Sequence, residues 1–132
     1  MRVYGSKADE LAQLYKALGD ETRVRIVHLL ARRGELCVCD VETILAVSQS
    51  KASRHLNYLK QAGIVEDRRD RTWVYYRLAR EARPSLRAAV RELRKELADD
   101  ETALADLDSA ECCARGQDCT PIEASSPRRT RS

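Results

Sequence analysis

Five cysteines fall into two close groups, and thiolates are the side chains that bind soft metal and metalloid ions best. Cys37 and Cys39 form a Cys-x-Cys pair, whereas Cys112, Cys113 and Cys119 form a Cys-Cys-x5-Cys cluster further along the chain. The N-terminal stretch lacks the apolar core of a signal peptide, so we expect a cytoplasmic protein. In a reducing compartment, clustered cysteines indicate metal binding or redox chemistry rather than structural disulfides.

The Cys-x-Cys pair lies where a short third helix should begin. Residues i and i+2 of a regular helix are separated by about 200° of rotation, so their sulfurs cannot both face one ion. Either the pair precedes the helix, or ion binding unwinds the first helical turn. The helix is predicted to start near Asp40 and to bury Val41, Ile44 and Leu45.

A polar-faced helix follows, capped by Ser48 and stopped near Gly63. It has one apolar stripe, formed by Ala52, Leu56, Leu59 and Ala62. Its polar side chains are of the kinds that contact base edges and phosphates in a major groove, although an ordinary solvated helix surface would share this composition. The candidate DNA contacts on the helix and its cap are Ser48, Gln49, Ser50, Lys51, Ser53, Arg54, His55, Asn57 and Lys60.

A basic β-hairpin is predicted directly after this helix. A strand begins at Ile64, a polar turn follows at 66–71, and the β-forming run 72–78 returns. Helix, turn, helix and hairpin together describe a winged helix-turn-helix, a mainly α fold with a small β-hairpin. Phosphate contacts are expected from three wing arginines, Arg68, Arg69 and Arg71.

The charge distribution supports a polyanionic partner. Residues 48–80 carry eight Lys and Arg against three Asp and Glu, whereas residues 96–119 carry eight acids and one Arg. The middle of the chain therefore suits double-stranded DNA, and the acidic stretch should stay away from it. The length of 132 residues predicts one DNA-binding and dimerisation domain over residues 1–108, with a flexible cysteine-containing tail over residues 109–132.

The remaining pattern predicts three further helices and a dimer. The first helix starts after Ser6 and ends near Gly19, and the second, capped by Asp20, buries His28 as a core histidine. A long helix over 82–107 carries leucines at helical spacing, which indicates a partner helix. A homodimer through the first and last helices is the simplest assembly. No apolar run is long enough to cross a membrane.

Three ordered motifs, ELCVCD (35–40), SQSKASRHLNYLKQAGIV (48–65) and RTWVYYRL (71–78), closely resemble the ArsR/SmtB family of metal-sensing transcriptional repressors. The resemblance covers roughly residues 8 to 95 and is closest to the arsenic-responsive branch. It implies a homodimeric winged-helix repressor, not an enzyme, which leaves its operator DNA when an inducer binds.

The resemblance also implies the inducer, which is arsenite or antimonite, As(III) or Sb(III), with no organic cofactor. Such an ion takes three thiolates, but the position of the third motif cysteine holds Glu42. The C-terminal triplet resembles an arsenic site of other family branches and could complete or replace the first site. Two alternatives stay open, namely a zinc, cadmium or lead sensor of the same fold, and a regulator controlled by thiol redox state.

The wing departs from its relatives at one position. They often place Gly at the hairpin tip, where this chain has Arg71. Without an easy positive φ, the tip is expected to be longer or looser.

Overall fold

The computed structural model describes residues 6–114. Within this range the chain forms a mainly α fold with one small sheet. The elements are α1 (Lys7–Ala17), α2 (Glu21–Arg33), β1 (Glu35–Cys37), α3 (Val38–Leu45), α4 (Gln49–Gln61), β2 (Val65–Asp70), β3 (Trp73–Leu78), α5 (Pro84–Glu96) and α6 (Glu101–Ala114).

Three of the predicted helix starts are confirmed by their capping hydrogen bonds. Ser6, Asp20 and Ser48 each accept a backbone N–H from the residue three positions later, at 3.0 to 3.1 Å. Each cap satisfies one of the donors that a helix leaves without an internal partner at its N-terminus. These local contacts explain why the starts of α1, α2 and α4 could be read from the sequence.

The two helices α3 and α4 pack against each other through a tight turn. Ala46 ends α3 in the left-handed conformation, with a φ of 56°, and α4 begins three residues later. The apolar stripe of α4 is buried, as its spacing predicts, and lies in one core with α2. The helices that could meet DNA are therefore fixed to the centre of the molecule. The largest fully buried side chains include Leu14, Ile26, Leu29, Leu56, Leu59 and Ile64.

The wing has a shorter turn and one more strand than the sequence predicts. β2 continues through the stretch predicted as a turn, and pairs with β3 from Val65↔Leu78 to Asp70↔Trp73. The expectation of a longer or looser tip is wrong, because only two residues connect the strands and Arg71 adopts a φ of 63°. The sheet also has a third strand, in the order β1-β3-β2, because Glu35–Cys37 pairs with β3.

The predicted long helix over 82–107 is instead two helices. α5 ends at Glu96, and Asp100 caps α6 by accepting the Ala103 N–H at 3.0 Å. The leucine spacing alone hid this break. α6 folds back onto α2 and α3, so much of the apolar face of 82–107 packs within its own chain. The predicted domain division at residue 108 falls inside α6 and stays a prediction.

His28 of α2 is buried, as predicted for a core histidine. The residue is only 1% exposed, and its Nε2 atom has no hydrogen-bond partner among the described residues. Burial lowers the pKa of His28, and Arg32 lowers it further, although Asp106 and Asp100 act in the opposite direction. The imidazole is therefore held neutral in the folded state.

This burial predicts a loss of stability in mild acid. Below the ordinary histidine pKa of about 6.5, His28 binds a proton in the unfolded chain but not in the folded protein. The free energy of unfolding therefore decreases as the pH decreases, by up to about 1.4 kcal/mol per pH unit. Urea unfolding at pH 7.5, 6.5 and 5.5 should show a larger drop for the wild type than for His28→Leu. His55 and the carboxylates titrate in both proteins, so equal drops would contradict the role of His28.

Candidate thiol site and nucleic-acid interface

The two N-terminal thiols face each other at the start of α3. Cys37 is the N-cap residue, with extended backbone angles, and Cys39 lies in the first turn. Their Sγ atoms are 2.9 Å apart. The structure shows neither of the two geometries that the sequence left open, because only Cys37 precedes the helix and Cys39 lies within its first turn. Both sulfurs can therefore approach one ion without unwinding α3.

Asp40 completes a group of three potential ligands. Its carboxylate accepts the backbone N–H of Cys37 at 3.1 Å. One carboxylate oxygen and the two sulfurs all lie within 4.8 Å of one another, and the described residues contain no second group of this kind. The motif ELCVCD contains this aspartate, but sequence reasoning considered only its sulfurs. Two sulfurs and one oxygen suit zinc-like ions, whereas a three-thiolate ion requires another sulfur.

The two thiols differ in their surroundings. Cys37 is buried at 6% exposure, whereas Cys39 is exposed. Burial, and then the hydrogen bond with Cys39, raise the pKa of the Cys37 thiol to about 12. Cys37 is therefore a protonated thiol at neutral pH in the ion-free state, and the exposed sulfur is the more accessible one.

Two of the three C-terminal cysteines lie on α6, whereas the sequence placed them after the long helix. Cys112 and Cys113 occupy its final turn, both partly exposed, and Cys113 packs against the core. Cys119 lies outside the described residues. Glu111 contacts Arg33 at 2.8 Å, which places the end of α6 beside the end of α2, shortly before Cys37. The described C-terminal sulfurs do not join the Cys37 group within ligand distance.

The polar face of α4 is available to a partner. Most of the predicted contacts are exposed, and Ser53 is half-buried. The Ser48 hydroxyl accepts the Lys51 N–H, and Lys60 pairs with Asp67 at 3.1 Å. The exposed candidates are Ser48, Gln49, Ser50, Lys51, Arg54, Asn57 and Lys60.

His55 does not belong to this face. Its residue is 8% exposed, and Nδ1 lies 3.4 Å from Arg23 Nη1 and 3.9 Å from the Asp20 carboxylate. Burial lowers the pKa of His55, partly opposed by Asp20. Arg23 also stacks over the ring of Tyr58 at 4.1 Å. His55 therefore connects α4 to the start of α2 and does not lie on the exposed face that could contact DNA.

The wing arginines are exposed, but one of them is already engaged. Arg68 forms a two-pronged ion pair with Glu35, at 3.0 Å from Nε and 2.8 Å from Nη2. Within residues 6–114, Arg69 and Arg71 form no ion pair. These two are the wing side chains best placed to meet phosphates.

No helix in the described range has the length and apolar content of a membrane span.

A helix-turn-helix whose second helix is followed by a paired β-hairpin defines the class of winged helix-turn-helix proteins. The comparisons agree. Residues 20–67 match the model of the family described as "Bacterial regulatory protein, arsR family". The solved homodimeric winged helix-turn-helix DNA-binding domain of Mb0332 from Mycobacterium bovis superimposes with a TM-score of 0.58 at 32% identity, covering 76% of this chain and 93% of that one.

The chain therefore belongs to the ArsR family, which confirms the resemblance and the predicted fold. It is 55% identical over 65 residues to the arsenic resistance transcriptional regulator ArsR1 of Pseudomonas putida, covering 49% of this chain and 51% of that protein. It is 48% identical over 69 residues to a cadmium resistance regulatory protein CadC homolog of Staphylococcus aureus, covering 52% and 57%. The chain thus spans about half the length of these curated relatives. The family consists of regulators, which confirms the expectation of a non-enzyme.

Proposed function

We propose that this protein is a transcriptional repressor that binds operator DNA as a homodimer in the cytoplasm. Trivalent arsenic or antimony releases it by binding cysteine thiolates. The observation that carries the proposal is the facing pair Cys37 and Cys39 at the N-terminus of α3, the helix that packs against α4. An ion bound there acts on the element that holds the DNA-contacting helix.

The third sulfur for such an ion would come from the C-terminal cluster. Cys112, Cys113 and Cys119 supply three candidates, within the chain or from a second copy. The ion pair between Arg33 and Glu111 supports a route within one chain, since it holds the end of α6 at the same end of α2 as the thiol pair.

The dimer is supported by exposed apolar side chains on α1. Leu11 is 39% and Tyr15 is 59% exposed, and at four residues apart they lie next to each other on one face of α1. A second copy of the chain would cover them, and the related Mycobacterium bovis domain is described as homodimeric.

A cadmium or zinc sensor is the second candidate, and Asp40 favours it. Its oxygen beside two sulfurs gives a mixed ligand set that such ions accept. The similarity to a cadmium resistance protein points the same way. A redox switch is the third, because the two sulfurs are already in contact.

The deciding experiment is an operator-binding titration with arsenite, antimonite, cadmium and zinc in reducing buffer. Release by arsenite and antimonite at lower concentrations than by cadmium and zinc supports the proposal. The reverse order assigns the site to the second candidate. Release only by an oxidant, with no response to any ion, assigns it to redox control.

The α4 contacts can be tested by comparing one helix residue with one wing residue. Arg54 is exposed on α4, so Arg54→Ala should cost about 1 to 3 kcal/mol of operator binding and relax sequence preference. Arg69→Ala should weaken operator and random DNA alike and lower the salt slope by about one. Binding measured on both DNAs at several salt concentrations separates the two. Equal loss on both DNAs for Arg54→Ala would exclude a base contact.

A further inference from the structure

The strand β1 links the thiol pair to the wing. Cys37 is paired across the sheet with Tyr75 of β3, and Tyr75 is in turn paired with Arg68 of β2. A single row of the sheet therefore runs from a candidate ligand to a wing arginine. This connection is separate from the one through α3 and α4.

Glu35, at the other end of β1, holds the wing through side chains. Both oxygens of its carboxylate accept hydrogen bonds from Arg68, and one of them also accepts a hydrogen bond from Arg77 Nη1 at 3.3 Å. The Arg68 guanidinium also lies over the Tyr75 ring, at 4.9 Å. The position of Arg68 is thus set by the strand that ends in Cys37. Glu66 shares Arg77 with Glu35 and also pairs with Arg80, but among the described residues it forms no ion pair with Arg68.

Ion binding must change the distance between the two sulfurs. Two sulfurs that are each bound at about 2.3 Å to one ion, with an S–ion–S angle near the tetrahedral value, are about 3.8 Å apart. The Sγ atoms of Cys37 and Cys39 are at 2.9 Å, so they must separate. β1 has only three residues, and Glu35 lies two positions before Cys37. A displacement of the Cys37 backbone therefore also moves Glu35 and its carboxylate.

We propose that Glu35 is a positioning residue that transmits ion binding at the thiol pair to the wing through Arg68. This inference rests on the proposed function of the thiol pair. In the ion-free protein, Glu35 fixes Arg68 and the hairpin in the arrangement that meets DNA. When the sulfurs separate, β1 shifts, and the wing leaves that arrangement. The wing is therefore, after α4, a second element whose conformational equilibrium is shifted by both DNA and the ion.

Glu35→Gln tests the link, and Glu66→Gln is the matched control on a neighbouring ion pair. The measured quantity is the coupling factor, the ratio of the operator dissociation constants with and without saturating arsenite. Glu35→Gln should weaken arsenite-free operator binding, because Arg68 loses its charged partner, and it should lower the coupling factor at least fivefold. Glu66→Gln should leave the factor within twofold of the wild type. An unchanged factor in Glu35→Gln overturns the proposal.

Trp73 provides a readout that a merely structural role would not move. It is the single tryptophan of the chain, it lies on β3 at the wing tip, and it is 52% exposed. Arsenite added to DNA-free wild type and Glu66→Gln should change its fluorescence in step with the loss of titratable thiols. In Glu35→Gln the thiols should titrate normally without this change. A wild type that loses thiols with constant fluorescence contradicts the wing link.

The two possible failures are distinguishable. If arsenite neither binds the wild type nor releases its DNA, the proposed function fails. If arsenite releases the DNA but the coupling factor of Glu35→Gln and the Trp73 emission stay as they were, only the role of Glu35 fails.

Discussion

Replacing both Cys37 and Cys39 by Ser should abolish release of DNA by arsenite and leave arsenite-free DNA affinity nearly unchanged. Allosteric coupling of this kind typically changes affinity about 5- to 150-fold, and we expect the variant to retain less than a threefold response. Serine keeps the shape of cysteine but offers a hard oxygen that binds soft ions poorly. It is also a favoured N-cap residue, so α3 should keep its start when Cys37 is replaced.

The control for this experiment is a variant in which Cys112, Cys113 and Cys119 are all replaced by Ser. Truncation of the tail after Asp108 would be less clean, because it removes Ala110, which is buried in the core at 1% exposure. Operator binding with and without arsenite, measured in reducing buffer, gives the response of each variant. If the N-terminal variant still responds and the C-terminal variant does not, the ion is sensed at the C-terminal triplet.

The helix starts could be predicted because their signals are local. A capping side chain and the N–H that it satisfies lie three residues apart, and apolar spacing reports the buried face of the same helix. α4 illustrates this, with the Ser48 cap and its apolar stripe both as predicted. The break between α5 and α6 had a local signal too, the cap residue Asp100, but the leucine spacing continued across it.

The features that were missed depend on residues far apart in the chain. β1 is a strand only because β3 pairs with it, some 40 positions later, and three residues carry no pattern of their own. The same holds for the ion pair between Glu35 and Arg68, and for His55, whose burial follows from the approach of α2 to α4. Charge alone did not indicate which arginines are engaged.

The candidate thiol site could be predicted from the sequence only in part. Its residues were evident from their type and spacing, but its geometry was not, because the spacing allowed a helical pair or a pair before the helix. The pairing of β1 decides this, since it holds Cys37 in extended backbone, whereas Cys39 lies in the first turn of α3. The conformation of a candidate ligand thus depends on a strand in the wing.

The contact that fixes α6 to α2 gives the second large expected effect. Asp106 is 4% exposed and accepts two hydrogen bonds from Arg25, from Nε at 3.0 Å and from Nη2 at 2.9 Å. The side-chain hydrogen bond with Asp106 raises the pKa of Arg25, so the guanidinium stays charged. A two-pronged pair of this kind is among the stronger polar contacts in proteins.

Asp106→Ala should therefore lower the free energy of unfolding by about 2 to 4 kcal/mol. Breaking a buried pair typically costs about 3 to 5 kcal/mol, because the remaining charge is left uncompensated. We expect somewhat less here, since water reaches the Arg25 side chain, which is 25% exposed. The matched control is Glu111→Ala, which removes the other α2–α6 ion pair. That pair is more exposed, so its loss should cost less than about 1 kcal/mol.

Urea unfolding at one fixed protein concentration measures both variants, since the stability of a dimer depends on concentration. Two results for Asp106→Ala carry different meanings. A lower midpoint with an unchanged m-value means that α6 unfolds together with the rest of the domain. A lower m-value means that α6 has already left α2 in the native state, which would separate Cys112 and Cys113 from the N-terminal thiols. A loss no larger than that of Glu111→Ala would show that apolar contacts such as those of Ala110 hold α6, rather than the ion pair.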